Sequence, residues 1–98
     1  MFNLKFEPLA DLQLKKIKHS PALDKQYKAV SKSLKFLSSN PRHGGLQTHR
    51  HYGKTGAEGE KVFEAYAENN TPGAYRIFWH YGPAPNTITV LEITPHPD

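Results

Sequence analysis

The side chains best suited to chemistry sit in and around one stretch, Ala74-Tyr75-Arg76-Ile77-Phe78-Trp79-His80-Tyr81. Strand alternation puts Tyr75, Ile77, Trp79 and Tyr81 on one face and Arg76, Phe78 and His80 on the other. Arg76 and His80 then share a surface, about 13 Å apart at ~3.3 Å per residue. An arginine in so apolar a strand needs a reason. Two readings stand: an ion pair with a neighbouring strand through Glu64, or a phosphate-binding site. Glu64, Tyr66, Arg76, His80 and His96 are the groups expected to meet across adjacent strands. An acid, an arginine and an imidazole suit phosphodiester chemistry. Cleavage of RNA by its own 2′-hydroxyl needs a base for that hydroxyl, a cation for the pentacovalent phosphate and an acid for the leaving 5′-oxygen. Arg76 would hold the phosphate through two parallel hydrogen bonds. His80 or His96 would exchange protons near neutral pH. Tyr66 or Tyr52 would stack on a base.

A second constellation is His49-Arg50-His51, with two imidazoles on one strand face. That spacing suits a metal pair, but it needs further ligands from among His43, Glu64, His80 and His96. A polar, solvent-facing strand explains the pair as well, and no metal site is expected. The stretch Gly53-Lys54-Thr55-Gly56-Ala57-Glu58-Gly59-Glu60 carries three glycines and reads as a loop. Its spacing does not match a phosphate-binding P-loop.

These groups need a scaffold. Phe2, Leu4 and Phe6 alternate with polar residues, which makes a short first strand. Pro8 opens a short helix to about His19, with Ala10, Leu9, Leu12 and Ile17 as its apolar residues. Ser20-Pro21 signals the next helix, with Ser20 as its cap. Leu23, Tyr27, Val30, Leu34 and Leu37 form a narrow apolar seam on that helix. Lys25, Lys28, Lys32 and Lys35 repeat on the opposite side. They read as a solvated face or as a contact for an RNA backbone or an acidic partner. Asn40-Pro41 ends the helix. Strands are expected over Leu46 to Tyr52, Lys61 to Glu68, Ala74 to Tyr81 and Thr87 to Thr94, with turns at 69–73 and 82–86. The fold class is α+β: an N-terminal strand, a helical hairpin, then an antiparallel sheet of three to four strands. Parallel pairing of the first strand with the last or next-to-last is open to the helical crossover.

The bulk numbers agree with a single domain over residues 1–98. There is no run of ~18 apolar residues, so no membrane span is expected. With no cysteine, disulfides and thiolate metal sites are excluded, and a cytoplasmic protein is expected. A net charge of +4 with six histidines favours an anionic partner.

The order of these elements resembles the RelE/ParE superfamily of type II toxins. The landmarks are the opening strand and the helical hairpin ending in Leu-Lys-Phe-Leu-Ser-Ser-Asn-Pro (34–41). Gly45-Leu46 then leads into the first hairpin strand, followed by the strand with Tyr66. Last come Ala-Tyr-Arg-Ile-Phe-Trp (74–79) and Ile-Thr-Val-Leu-Glu-Ile (88–93) with His96 after it. The resemblance covers nearly the whole chain. It implies a compact toxin that an antitoxin protein wraps and neutralises. RelE-like members cleave mRNA in the ribosomal A site without a metal or cofactor, and ParE-like members act on DNA gyrase. Arg76 matches a functional arginine of the next-to-last strand, and His96 falls where members carry a basic or imidazole residue. The site expected from the residues and the resemblance together is Arg76, His80 and His96 for catalysis, with Lys54, Lys61, Arg50 and Tyr66 on the RNA. The partners implied are the antitoxin, the ribosome and mRNA. RelE-like nucleases also carry a tyrosine in a C-terminal extension, which is not found before Asp98. The alternatives are a ParE-like inhibitor of gyrase, or a non-catalytic member that binds nucleic acid or a partner.

Overall fold

The computed structural model describes residues 1–68 and 73–95. The chain runs β1 (Asn3–Phe6), α1 (Pro8–Lys18), a 3-10 turn, α2 (Asp24–Ser39), a second 3-10 turn, then β2 (His49–Thr55), β3 (Lys61–Tyr66), β4 (Tyr75–Tyr81) and β5 (Thr87–Pro95). The strands make one five-stranded mixed sheet in the order β1-β5-β4-β3-β2. β2 to β5 are successively antiparallel, because each joins the next through a short turn. β1 is parallel to β5, since the helical hairpin carries the chain across the sheet before it returns. The expected first strand and four antiparallel strands are thus all present, joined in one sheet by the parallel pairing of β1 with the last strand. No described helix is long and apolar enough to cross a membrane.

The helices cover one face of the sheet. Val30, Leu34 and Leu37 of α2 are buried, with Leu23 and Tyr27 packed against them, so the apolar seam reads correctly. They meet Ala65 of β3, Ile77 and Trp79 of β4, and Ile88, Val90 and Ile93 of β5. At roughly 1.5–3 kcal/mol per fully buried large apolar side chain, this layer is the main source of stability.

Three local expectations change. Ser20 does not cap α2: its Oγ donates back to the carbonyl of Lys16 at 2.7 Å, a 3-10 turn occupies Pro21–Leu23, and α2 starts at Asp24. Leu46 is not a strand residue. It closes the 3-10 turn Gly44–Leu46, is fully buried, and anchors the connection against the core. Gln47 follows with φ 49°, a left-handed step that turns the chain before β2 begins at His49. Gly53 to Thr55 continue β2 instead of opening a loop, so the hairpin turn shrinks to Gly56–Glu60. Gly59 takes φ +84° there, where a side chain would be strained.

Two irregularities shape the face away from the helices. The β2–β3 register shifts between Arg50 and Thr55, and the β4–β5 register shifts after Phe78, so that Phe78 faces Glu92 while Trp79 faces Val90. Such shifts increase twist and bend the bulged strand. β2 therefore leans over the outer face, far enough for the Lys54 ammonium to reach Glu92 on β5 at 2.6 Å.

Candidate functional site

The outer face gathers its charged groups around Glu64. Glu64, Tyr66 and Val62 point away from the helices because they alternate with the core-facing Phe63 and Ala65. Glu64 is only 3% exposed, so its carboxylate must be paired. Oε2 accepts from Nη1 of Arg76 at 2.9 Å. Oε1 lies 3.0 Å from Nε2 of His49, and 3.6 Å from Nδ1 of His51. The ion pair read from the strand pattern is real, and it leaves the phosphate reading open. Among the described residues Arg76 makes one side-chain hydrogen bond, so further guanidinium donors remain for a ligand.

Phe78 is the floor of this face. The Arg76 guanidinium lies 4.8 Å from its ring centroid and the Lys54 ammonium 4.9 Å. The His51 ring meets it edge-on at 4.9 Å. These contacts hold two cations and an imidazole above one aromatic plate. His49 is the most open member, with 48% of its side chain exposed. Its Nδ1 faces the carbonyl of Gln47 at 3.0 Å and its Nε2 faces Glu64. A neutral ring donates to only one of these acceptors, and a protonated ring donates to both. The Tyr66 ring packs 5.6 Å from His49. Burial pushes the Tyr66 phenol above its ordinary range, the Glu64 charge adds to the rise, and Arg76 opposes it. At neutral pH Tyr66 therefore keeps its hydroxyl proton.

The other candidates fall elsewhere. His80 shares the strand face of Arg76 but is 3% exposed, with Nδ1 3.0 Å from the carbonyl of Tyr81. Its register partner Thr89 is also buried, so the imidazole lies inside the sheet layer and not on an open surface. Arg50 alternates with His49 and His51 and so faces the helix side, where its guanidinium stacks 4.6 Å from the Tyr52 ring. Lys61 is exposed at the start of β3, opposite Thr55. His96 lies outside the described residues. Among the described residues no three histidine or acidic groups are arranged to hold a metal ion. His49 and His51 face Glu64 together instead. Their shared face was legible from the alternation, but the roles of Phe78 as floor and of Glu92 as the anchor of Lys54 had no local signal.

No family model and no curated protein matches the sequence. Solved structures do match in fold. One is a YoeB/ParE toxin from Agrobacterium tumefaciens, with TM-score 0.71 and 7% identity over 97% of this chain and 99% of that one. A second is the YoeB dimer from Staphylococcus aureus, with TM-score 0.63 and 16% identity over 97% of both chains. A third is the archaeal RelE–RelB complex from Pyrococcus horikoshii OT3, with TM-score 0.62 and 14% identity over 96% of this chain and 93% of that one. The β-α-α-β-β-β-β chain with its mixed sheet has the fold of the RelE/ParE toxin superfamily.

Proposed function

We propose that the chain is the toxin of a type II toxin–antitoxin pair and that it cleaves mRNA on the ribosome. The shared fold supports the first part. The observation that carries the second is the cluster of Arg76, Glu64 and His49 on the open face of the sheet. The third neighbour was solved with RelB, and a protein antitoxin is the partner proposed for this chain. A ribosomal target places its action in the cytoplasm.

The chemistry is transesterification. A base removes the 2′-hydroxyl proton, the 2′-oxygen attacks phosphorus, the 5′-oxygen leaves with a proton from an acid, and a 2′,3′-cyclic phosphate remains. Arg76 binds the phosphate through the donors that Glu64 does not use and stabilises the charge of the pentacovalent state, an effect worth about 10²–10³ in rate for one preorganised donor. Glu64 holds Arg76 and His49 at fixed positions. His49 is the proposed general acid, because it is the most exposed group around Glu64, and its ring is oriented by Glu64 and the Gln47 carbonyl. His96 is the proposed second proton-transfer group. It follows Pro95, whose register partner Tyr75 precedes Arg76. Lys54 contacts the RNA backbone from the rim of the site, and Tyr66 donates its hydroxyl or packs against a base. His80 is given no role toward the substrate, because it is buried and lies about 13 Å along β4 from Arg76.

Induced expression in a bacterial host tests the reading. Rapid loss of full-length mRNA, with plasmid supercoiling unchanged, is the expected result. Intact mRNA with altered supercoiling would replace it with the gyrase reading.

A further inference from the structure

A second candidate site lies on the helix side of the sheet and borders the cluster around Glu64 at His49, which also lines it. It is a cavity of about 410 Å³ between the second 3-10 turn, β2 and the aromatic end of β4. That volume falls within the range of small-ligand sites, about 300–1,000 Å³. One wall is aromatic. Phe63 stacks on Trp79 with ring centroids 5.0 Å apart, and Tyr81 meets Trp79 edge-on at 4.9 Å. The rim is cationic, formed by Arg42 and Arg50, and among the described residues no aspartate or glutamate lines the cavity.

The polar groups are donors in excess. Nε of Arg50 and Nε1 of Trp79 are both buried, with no hydrogen-bond partner among the described residues. Trp79 is 1% exposed, and leaving such a donor unpaired is costly. His43 is fixed: its ring stacks on Phe36 at 4.0 Å, and its Nδ1 accepts from the backbone N–H of Gly45 at 3.0 Å, which leaves Nε2 as its protonated nitrogen. A guest must therefore be planar enough for the aromatic wall, rich in acceptors, and anionic. A carboxylate side chain from a protein would meet the arginines but leave the wall unfilled.

We propose that this cavity binds a single unpaired nucleotide of RNA, with the base against Phe63 and Tyr81, the accessible part of the wall backed by the buried Trp79, and the phosphate between Arg42 and Arg50. The choice of RNA as the polymer rests on the function proposed above, but the chemistry of the pocket does not. Base-on-aromatic contact tolerates any sequence, because every base has a π face. The pocket is thus a docking point that holds a strand to the protein without reading it. It also gives Arg50 a place in RNA binding that its strand position denies it at the outer face.

Trp79 is the chain's one tryptophan, so a single indole N–H resonance reports on the cavity. The experiment titrates the folded protein with adenosine monophosphate, a short single-stranded RNA and an acidic peptide, and follows that resonance. A saturable shift with the nucleotide and the RNA is expected, weakened about tenfold by Arg50→Gln and by Arg42→Gln, the loss expected for one charge-assisted contact. Arg42 is exposed in a turn, so its variant stays folded if Arg50→Gln does not. An unmoved indole resonance overturns the proposal. So does a shift that both variants leave intact, or one caused by the peptide alone. Repeating the titration in Arg76→Lys separates the two sites. If that variant still shows the indole shift while RNA cleavage is absent even in wild type, the pocket stands and the catalytic reading falls.

Discussion

Arg76 donates to Glu64 across the β3–β4 ladder at 2.9 Å, although the two are diagonal and not register partners: Tyr66 faces Arg76, and Phe78 faces Glu64. The diagonal lets the guanidinium lie over Phe78 while it reaches the carboxylate. Removing one member leaves the other buried and poorly paired, which costs about 3–5 kcal/mol in typical cases. Arg76→Leu is expected at the lower end, because His49 still faces Glu64. The double variant Glu64→Leu/Arg76→Leu should regain much of that loss. Urea denaturation of the two singles and the double checks this. Additive losses would mean that the pair is not coupled.

His49 is half-exposed, so its replacement should leave the fold intact and strike the chemistry. His49→Gln is expected to slow RNA cleavage by about 10²–10⁴, the range for a lost general acid. Single-turnover cleavage at saturating protein measures it. A variant as fast as wild type would remove His49 from the mechanism.

Tyr66 links the site to alkaline pH. Burial raises its phenol above the ordinary value of 10.0, Glu64 raises it further, and Arg76 opposes. The folded state then holds this proton at a pH where the unfolded chain has lost it. Stability is therefore full below the unfolded value and falls as pH rises through the folded one. Melting temperatures taken at increasing pH should drop more steeply in wild type than in Tyr66→Phe. Parallel curves would count against the assignment.

Lys54 ties the leaning β2 to the middle of the sheet through Glu92 at 2.6 Å and through the Phe78 ring. The pair is partly solvated, so Lys54→Met should cost only about 1 kcal/mol. Its larger effect should be on hydrogen exchange in β2, which loses its clasp. Unchanged protection from Gly53 to Thr55 would show that the bulge alone holds the strand down.

Part of this was legible in the sequence. The α2 seam follows from its 4, 3, 4, 3 spacing, and the Arg76–Glu64 pair follows from adjacent strands with opposite charges on one face. The assembly of His49, His51 and Lys54 over Phe78 was not, because it depends on the bend of β2. That bend comes from a register shift between Arg50 and Thr55, a property of two strands together. The burial of His80 was hidden for a similar reason: Thr89, which lies beside it on β5, and the general closure of the sheet layer have no mark near position 80. The loop after α2 misled because Leu46, which reads as the first residue of a strand, spends its side chain in the core instead.

The central claim is tested most directly by primer extension on a defined mRNA in a reconstituted translation system, with and without ribosomes, using wild type and Arg76→Lys. The lysine keeps a positive charge beside Glu64 but lacks the planar donor fork. Breaks at ribosome-occupied codons are expected with wild type, none without ribosomes, and a rate about 10²-fold lower with the variant. Equal cleavage by folded wild type and folded Arg76→Lys, or no cleavage by either, would contradict it.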